Sequence, residues 1–219
     1  MFVIAAIVAG LALIYVGRGR SDADRLRCAD NQRRIGHLYL LDEVQVAKAF
    51  PAGTVKFAKL PPEERLSWIV PGLTRLGEQR LADSIDVVAR WNFDGNAAAG
   101  QTVLTFLVCP AIAELRTADG SGVLHYPGLA GVGRDAALKP ADAPGAGIFR
   151  YGAPTLVADV KDGLANTLVL IETRDQLGPW IAGGPPSVRP LNPAERPYLG
   201  AGRPFGGAHL GGANALNAD

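Results

Sequence analysis

The sequence predicts an α+β chain, with helix at the front and a glycine-rich β region behind it. Three observations carry that reading. Phe2 to Val16 holds no charge and no strongly polar group, and it runs into a polar stretch, Asp22 to Ala49, that keeps apolar residues at helical spacing. Two later runs, TVLTFLVCP and NTLVLIET, are short, apolar and β-rich. The 27 glycines and 16 prolines gather after residue 95, so turns dominate the second half.

The totals bound the function. A chain of 219 residues is one large β-containing domain, or one ordinary domain with an added segment. An apolar share of 48% supports a real core. A net charge of +1 gives no basic surface for nucleic acid and no acidic tail. The two cysteines, Cys28 and Cys109, match neither a zinc ligand set nor a CxxC site. In a reducing compartment they are small buried hydrophobes, and in an oxidising one they are able to form a single bridge.

The elements follow in order. Residues 1–17 are expected to be a transmembrane anchor and 18–219 the head. The apolar run is shorter than the roughly 20 residues that span a bilayer, and no A-x-A cleavage site follows it. Arg18, Arg20, Arg25 and Arg27 come after the run and nothing basic precedes it. The positive-inside tendency alone would leave that side in the cytoplasm. Beyond it, Cys28, Ile35, Leu38, Leu41 and Val44 mark the apolar face of a continuing helix, which Pro51 and Gly53 end.

A second helix is expected over LPPEERLSWIVPGLTRLGEQRLADSIDVV, striped by Leu66, Ile69, Leu73 and Leu76 and kinked at Pro71. TVLTFLVCP reads as a buried strand. Residues 117–154 read as a glycine- and proline-rich loop with one short strand, and 178–208 as a long glycine- and proline-rich loop. Asp162-Gly163 is a turn signal, and Asn166 to Thr173 a strand too apolar for water on both sides.

Catalytic spacings are missing. There is no Walker-type loop, no HExxH and no GxSxG, and GLAGVG has the wrong glycine order for a dinucleotide site. His37, His125 and His209 lie far apart and read as surface or turn residues. Glu172 and Asp219 are candidates for a carboxylate pair, and solvated strand ends are their expected role. Asp159, Asp162 and Asn166 offer oxygen donors at spacings that fail the calcium loop and fit a turn. No catalytic residue, metal or cofactor is expected.

The order of several short motifs is more specific than any one of them. CADNQRRIGHLY from Cys28, FPAG from Phe50, SWIVPGLTRLGEQ from Ser67, FLVCP from Phe106, DGLANTLVLIE from Asp162 and GPW from Gly178 lead to His209 and, nine residues further, Asp219. In this order they resemble a bacterial family of unknown function with prepilin-like amino termini and a closing His, nine residues, Asp-Gly motif. The matching positions are Asp162, Gly163, Asn166, Thr167, His209, Gly211, Gly212, Asn214 and Asp219. The resemblance covers nearly the whole chain. It implies a pilin-like architecture, with a long amino-terminal helix half in the membrane and half packed on an antiparallel sheet.

The family's basic leader and its Gly-Phe-Thr-Leu-Ile-Glu-like peptidase site have no counterpart in MFVIAAIV. A missing leader accounts for the conflict with the charge rule, so the head is expected outside the cytoplasm.

The expected function is therefore that of a non-enzymatic, membrane-anchored, pseudopilin-like structural or interaction protein. Its expected partners are the membrane, other pilin-like subunits or secretion components. The alternative is a tethered module binding a small solute or glycan, with Trp180, Tyr198 and Phe205 as stacking platforms.

Cys28 shares a helix face with Ile35, and Cys109 ends a run that should pack on that face, so the two are expected to pair. The bridge would close a loop of about 80 residues, worth around 4 kcal/mol in the chain-entropy model. NALNAD is expected as the outgoing strand of a hairpin whose return strand is absent, through truncation or completion by another chain. His209 should then bond a backbone group or the Asp219 carboxylate.

Overall fold

A computed structural model describes residues 2–57, 59–209 and 211–219; for residues 2–16 and Arg18 it gives the helical backbone and not the side chains. The fold is mixed α+β. Helix α1 runs from Phe2 to Ile35, passes through a π-helical turn at Gly36–Leu40 and continues as α2, Leu41–Ala47. Lys48 ends it in the left-handed conformation, with its N–H on Val44 O. Among the described residues no helix is long and apolar enough to cross a membrane. The apolar run expected to be an anchor falls on residues whose side chains are not described.

The helix has two fates along its length. Gly17, Gly19, Arg20, Asp22, Ala23, Arg25, Leu26 and Arg27 are exposed, and a Cβ placed at Gly17 or Gly19 would meet nothing within 4 Å. From Cys28 onward one face is buried: Cys28, Gln32, Ile35 and then Tyr39 and Leu40. The heptad reading put Leu38 on that face, yet Leu38 is exposed. The π turn adds a residue to one helical turn. It rotates the face, so that Tyr39 and Leu40 point inward in place of Leu38.

The main sheet has four strands in the order β5-β2-β4-β6: Val188–Leu191, Gly128–Val132, Leu168–Ile171 and Ala215–Asn217. It is mixed and not purely antiparallel as expected, because β2 pairs β5 in parallel, with Gly128 opposite Val188. β4 pairs antiparallel with β2 and with β6. β6 is an edge strand, as expected for NALNAD, and α1 lies against it: a Cβ on Gly36 would sit 2.9 Å from Leu216. A small second sheet joins β1, Ala49–Phe50, to β3, Thr155–Leu156.

Two expected elements take other forms. The segment after Pro61 is no long helix but a chain of tight turns followed by the short α3, Gln79–Asp83. Its stripe is nevertheless buried, with Leu66, Ile69, Leu73 and Leu76 at 1% exposure or less. Pro71 sits in the first turn of a 3-10 helix, Val70–Gly72, and Ser67 N–H donates to Ile181 O. Backbone bonds to another loop thus replace the helical ladder. Likewise, TVLTFLVCP is no strand: Thr105–Leu107 forms a 3-10 turn that buries Phe106 and Leu107.

An aromatic column joins helix to sheet. Tyr39 stacks on Trp68 at 6.2 Å, and Trp68 meets Phe149 at 4.6 Å. Tyr39 Oη donates to Trp68 O, and Trp68 Nε1 donates to Ser187 O. Gly72 makes the column possible, because a Cβ there would lie 2.4 Å from the Tyr39 ring.

Candidate functional site

Four chemically active side chains meet where α1 enters the head. Cys28 comes from the inner face of α1, Cys109 from the segment after the 3-10 turn, Glu172 from the residue after β4, and His209 from the loop before β6. One ligand atom from each lies within 4.8 Å of every other, and all four residues are buried.

His209 Nε2 is the hub. It stands 3.2 Å from Cys28 Sγ, 3.3 Å from Cys109 Sγ and 3.1 Å from Glu172 Oε1. The two sulfurs are unbonded and 2.6 Å apart. The pairing expected from the sequence thus has its two partners in contact.

The backbone explains how Glu172 is held. β4 is buried at Val169, Leu170 and Ile171, and the chain keeps Glu172 inside at 0% exposure. Its N–H donates to Asn214 O and its carbonyl accepts from Gly206 N. Its second carboxylate oxygen accepts from Asn214 N at 3.1 Å. Gly207 lets the loop pass, since a Cβ there would lie 2.7 Å from Glu172 Oε2. Asn214 also ties the loop to α1: its carbonyl accepts from Gln32 Nε2 and its amide donates to Arg25 O.

The surroundings set the protonation chemistry. The Cys28 sulfur beside it, and then burial, push the Cys109 thiol far up. Burial, and then the Cys28 sulfur beside it, push the Tyr126 hydroxyl up. Asn31 Nδ2 donates to Val108 O, on the residue preceding Cys109. His125 buttresses the same loop: its Nδ1 accepts from Cys109 N at 2.7 Å and its Nε2 bonds Glu114 O at 3.1 Å. That arrangement requires a neutral ring, and burial lowers the pKa of His125 to about 4.

Within the cluster, His209 Nδ1 has no hydrogen-bond partner. Every strong contact of the imidazole therefore runs through Nε2.

Several expectations are corrected here. His125 and His209 are buried and not surface residues, while His37 is exposed. Glu172 is not a solvated strand end. His209 pairs with Glu172 and not with Asp219, which is exposed at the far end of β6. Trp180 and Phe205 are fully buried and cannot act as stacking platforms; Trp180 Nε1 donates to Thr102 O.

Of the motif positions, Asn214 and His209 reach the cluster. Asp162, Gly163, Asn166 and Thr167 form the turn before β4, where Gly163 has φ +80° and Thr167 Oγ1 donates to Gly163 O. Gly211 and Gly212, at φ +92° and +140°, turn the chain between His209 and Asn214. Glu172 was the missed site residue. An acid that ends a strand buried on both faces was the signal that could have found it.

Over residues 18–185 the chain matches the family described as Protein of unknown function (DUF1559), and it belongs to that family. The matched segment includes Cys28, Cys109 and Glu172; His209 lies beyond it. No curated protein and no solved structure matches the chain.

Proposed function

We propose that the protein is a membrane-anchored, pseudopilin-like subunit: a non-enzymatic head carried outside the cytoplasm on a helical stalk. The observation that carries this reading is the division of α1. Between Gly19 and Arg27 the helix is exposed save for the half-buried Ser21 and Asp24, and it enters the core only at Cys28. A soluble domain has little use for an exposed helical extension that leads back to fifteen residues without a charge, Phe2 to Val16. The same arrangement suits a head held off a bilayer, with the apolar run as anchor. Other pilin-like subunits or secretion components are the partners of this role.

Cell fractionation tests it. The full chain should sediment with membranes, resist alkaline extraction and co-purify with secretion-type components. Recovery as a soluble cytoplasmic protein would overturn the proposal.

One observation favours a second reading, a tethered module binding a small solute or glycan. A cavity of about 370 Å³ opens beside the 178–208 loop, lined by Gln176, Leu177, Pro186, Arg189, Glu195 and Pro204. Arg189 spends its donors on Pro185 O, Thr173 Oγ1, Asp175 O, Pro204 O and Gln176 O, whereas Arg134, also in the lining, is exposed and lies 3.5 Å from Glu195. Ligand-dependent shifts in melting temperature separate this reading from the first.

A further inference from the structure

We propose that, with its cysteines reduced, the Cys28–Cys109–Glu172–His209 cluster is a tetrahedral binding site for a zinc-class divalent ion.

The donor set is the first argument. Two thiolates, an imidazole and a carboxylate suit zinc, which takes sulfur, nitrogen and oxygen ligands in four-coordinate geometry. The four residues come from four separate segments, so the convergence is built by the tertiary fold and not by a local turn.

The distances are the second argument. Ordinary zinc–ligand bonds in a tetrahedron imply edges of roughly 3.5 Å between sulfur and nitrogen and roughly 3.4 Å between nitrogen and oxygen. The cluster has 3.2 and 3.3 Å for the first and 3.1 Å for the second. Of these edges the sulfur–sulfur one must open most, from 2.6 Å to roughly 3.7 Å. A small rotation about one cysteine Cα–Cβ bond supplies that change. Closing the same edge instead makes a cystine, so metal and disulfide compete for the two sulfurs.

Charge is the third argument. A carboxylate at 0% exposure faces two thiols, an imidazole and one backbone N–H, with no lysine or arginine among its hydrogen-bonding or ion-pair partners. Burying such a group without a cation is costly. A cystine would leave the carboxylate only the imidazole and one backbone N–H as partners. A divalent ion, taken up as the two thiols release their protons, leaves the net charge of the four groups unchanged and places a cation directly against the carboxylate. The groups around the ligands are suited to hold them: His125 Nδ1 accepts from Cys109 N, and Asn214 N–H fixes the second Glu172 oxygen. On binding, the two thiols lose their protons to solvent and both sulfurs ligate as thiolates, with no change of oxidation state.

The test uses the full chain in detergent, reduced and handled without oxygen, with Co(II) as the probe. One equivalent of Co(II) should give tetrahedral ligand-field bands and a thiolate-to-cobalt charge-transfer band. Zn(II) should abolish both, and the oxidised chain should give neither. Glu172→Gln should weaken Co(II) binding by more than the roughly 10–100-fold that loss of an outer-shell partner costs, with near-ultraviolet dichroism reporting that it still folds.

Should Glu172→Gln fail to fold, the reduced and oxidised forms of the unmodified chain decide the matter alone. A reduced chain that shows two alkylatable thiols after unfolding but gives no cobalt bands would overturn the proposal. So would bands that persist in Cys109→Ser, which would place the metal elsewhere.

Discussion

The two stretches of α1 on either side of Cys28 are made from one continuous helix, yet they obey different rules. From Gly19 to Arg27 the helix is held by its own backbone ladder, assisted by one surface pair, Asp24–Arg27 at 3.5 Å, and by one bond from the head, Asn214 Nδ2 to Arg25 O. Such pairs contribute a few tenths of a kcal/mol at most. From Cys28 to Leu40 the helix is a wall of the core, with Ile35 and Tyr39 at 0% exposure. The difference teaches that the helix is specified twice, by local propensity outside the head and by packing within it. Damage to one half should leave the other standing.

The largest expected effect breaks the inner half. Ile35→Asp puts a charge where no water reaches and should cost more than about 4 kcal/mol, unfolding the head. Chemical denaturation checks it. Leu170→Asp should do the same from the sheet side, because Leu170 is also at 0% exposure.

Next comes Arg189→Met. Arg189 is 4% exposed and donates to four backbone carbonyls and to Thr173 Oγ1. Removing its donors leaves buried acceptors unpaired, at about 1–3 kcal/mol for each group that water cannot reach. The melting temperature should fall by well over ten degrees, while alkaline extraction of the membrane fraction should give the same result as for the unmodified chain.

An acid titration sharpens the same contrast without a mutation. His125 is neutral in the folded head with a pKa of about 4, against an ordinary value near 6.5. Because the folded pKa is depressed, its stabilisation is fully present above pH 6.5 and is lost as pH falls through 4. The loss amounts to about 3 kcal/mol. His125→Phe should flatten that part of the stability–pH curve, read from denaturation midpoints at a series of pH values.

How much of this was legible in the sequence depended on whether the signal was local. Cys28 and Ile35 announced their face through helical spacing, and Asp162-Gly163 announced a turn because only glycine takes φ +80° freely. The burial of Leu66, Ile69, Leu73 and Leu76 was legible, while their conformation was not. Apolar spacing reports which residues turn inward, and Pro71 with the Ser67–Ile181 bond decided how the backbone did so. FLVCP read as strand because its residues favour strand, but no neighbouring strand lies beside it to pair.

The site was the least legible part. Its four members are separated by up to 181 positions, and His209 stands among glycines and alanines that carry no periodicity. Only the fold brings it to Cys28.

The smallest expected effect is on the outer half. Leu26 is 65% exposed, so Leu26→Asp should change head stability by no more than about 0.5 kcal/mol. A loss comparable to that of Ile35→Asp would mean that this stretch packs on the head, and the division of α1 would be wrong.

The most direct measurement of the central claim compares the full chain with one lacking residues 2–16, in alkaline-washed membranes and in near-ultraviolet circular dichroism. The account predicts that the full chain stays with the membrane. The shortened chain should be released and keep the same dichroism, because the buried face of α1 begins at Cys28. A full chain that washes off, or a shortened chain that loses its tertiary signal, would contradict it.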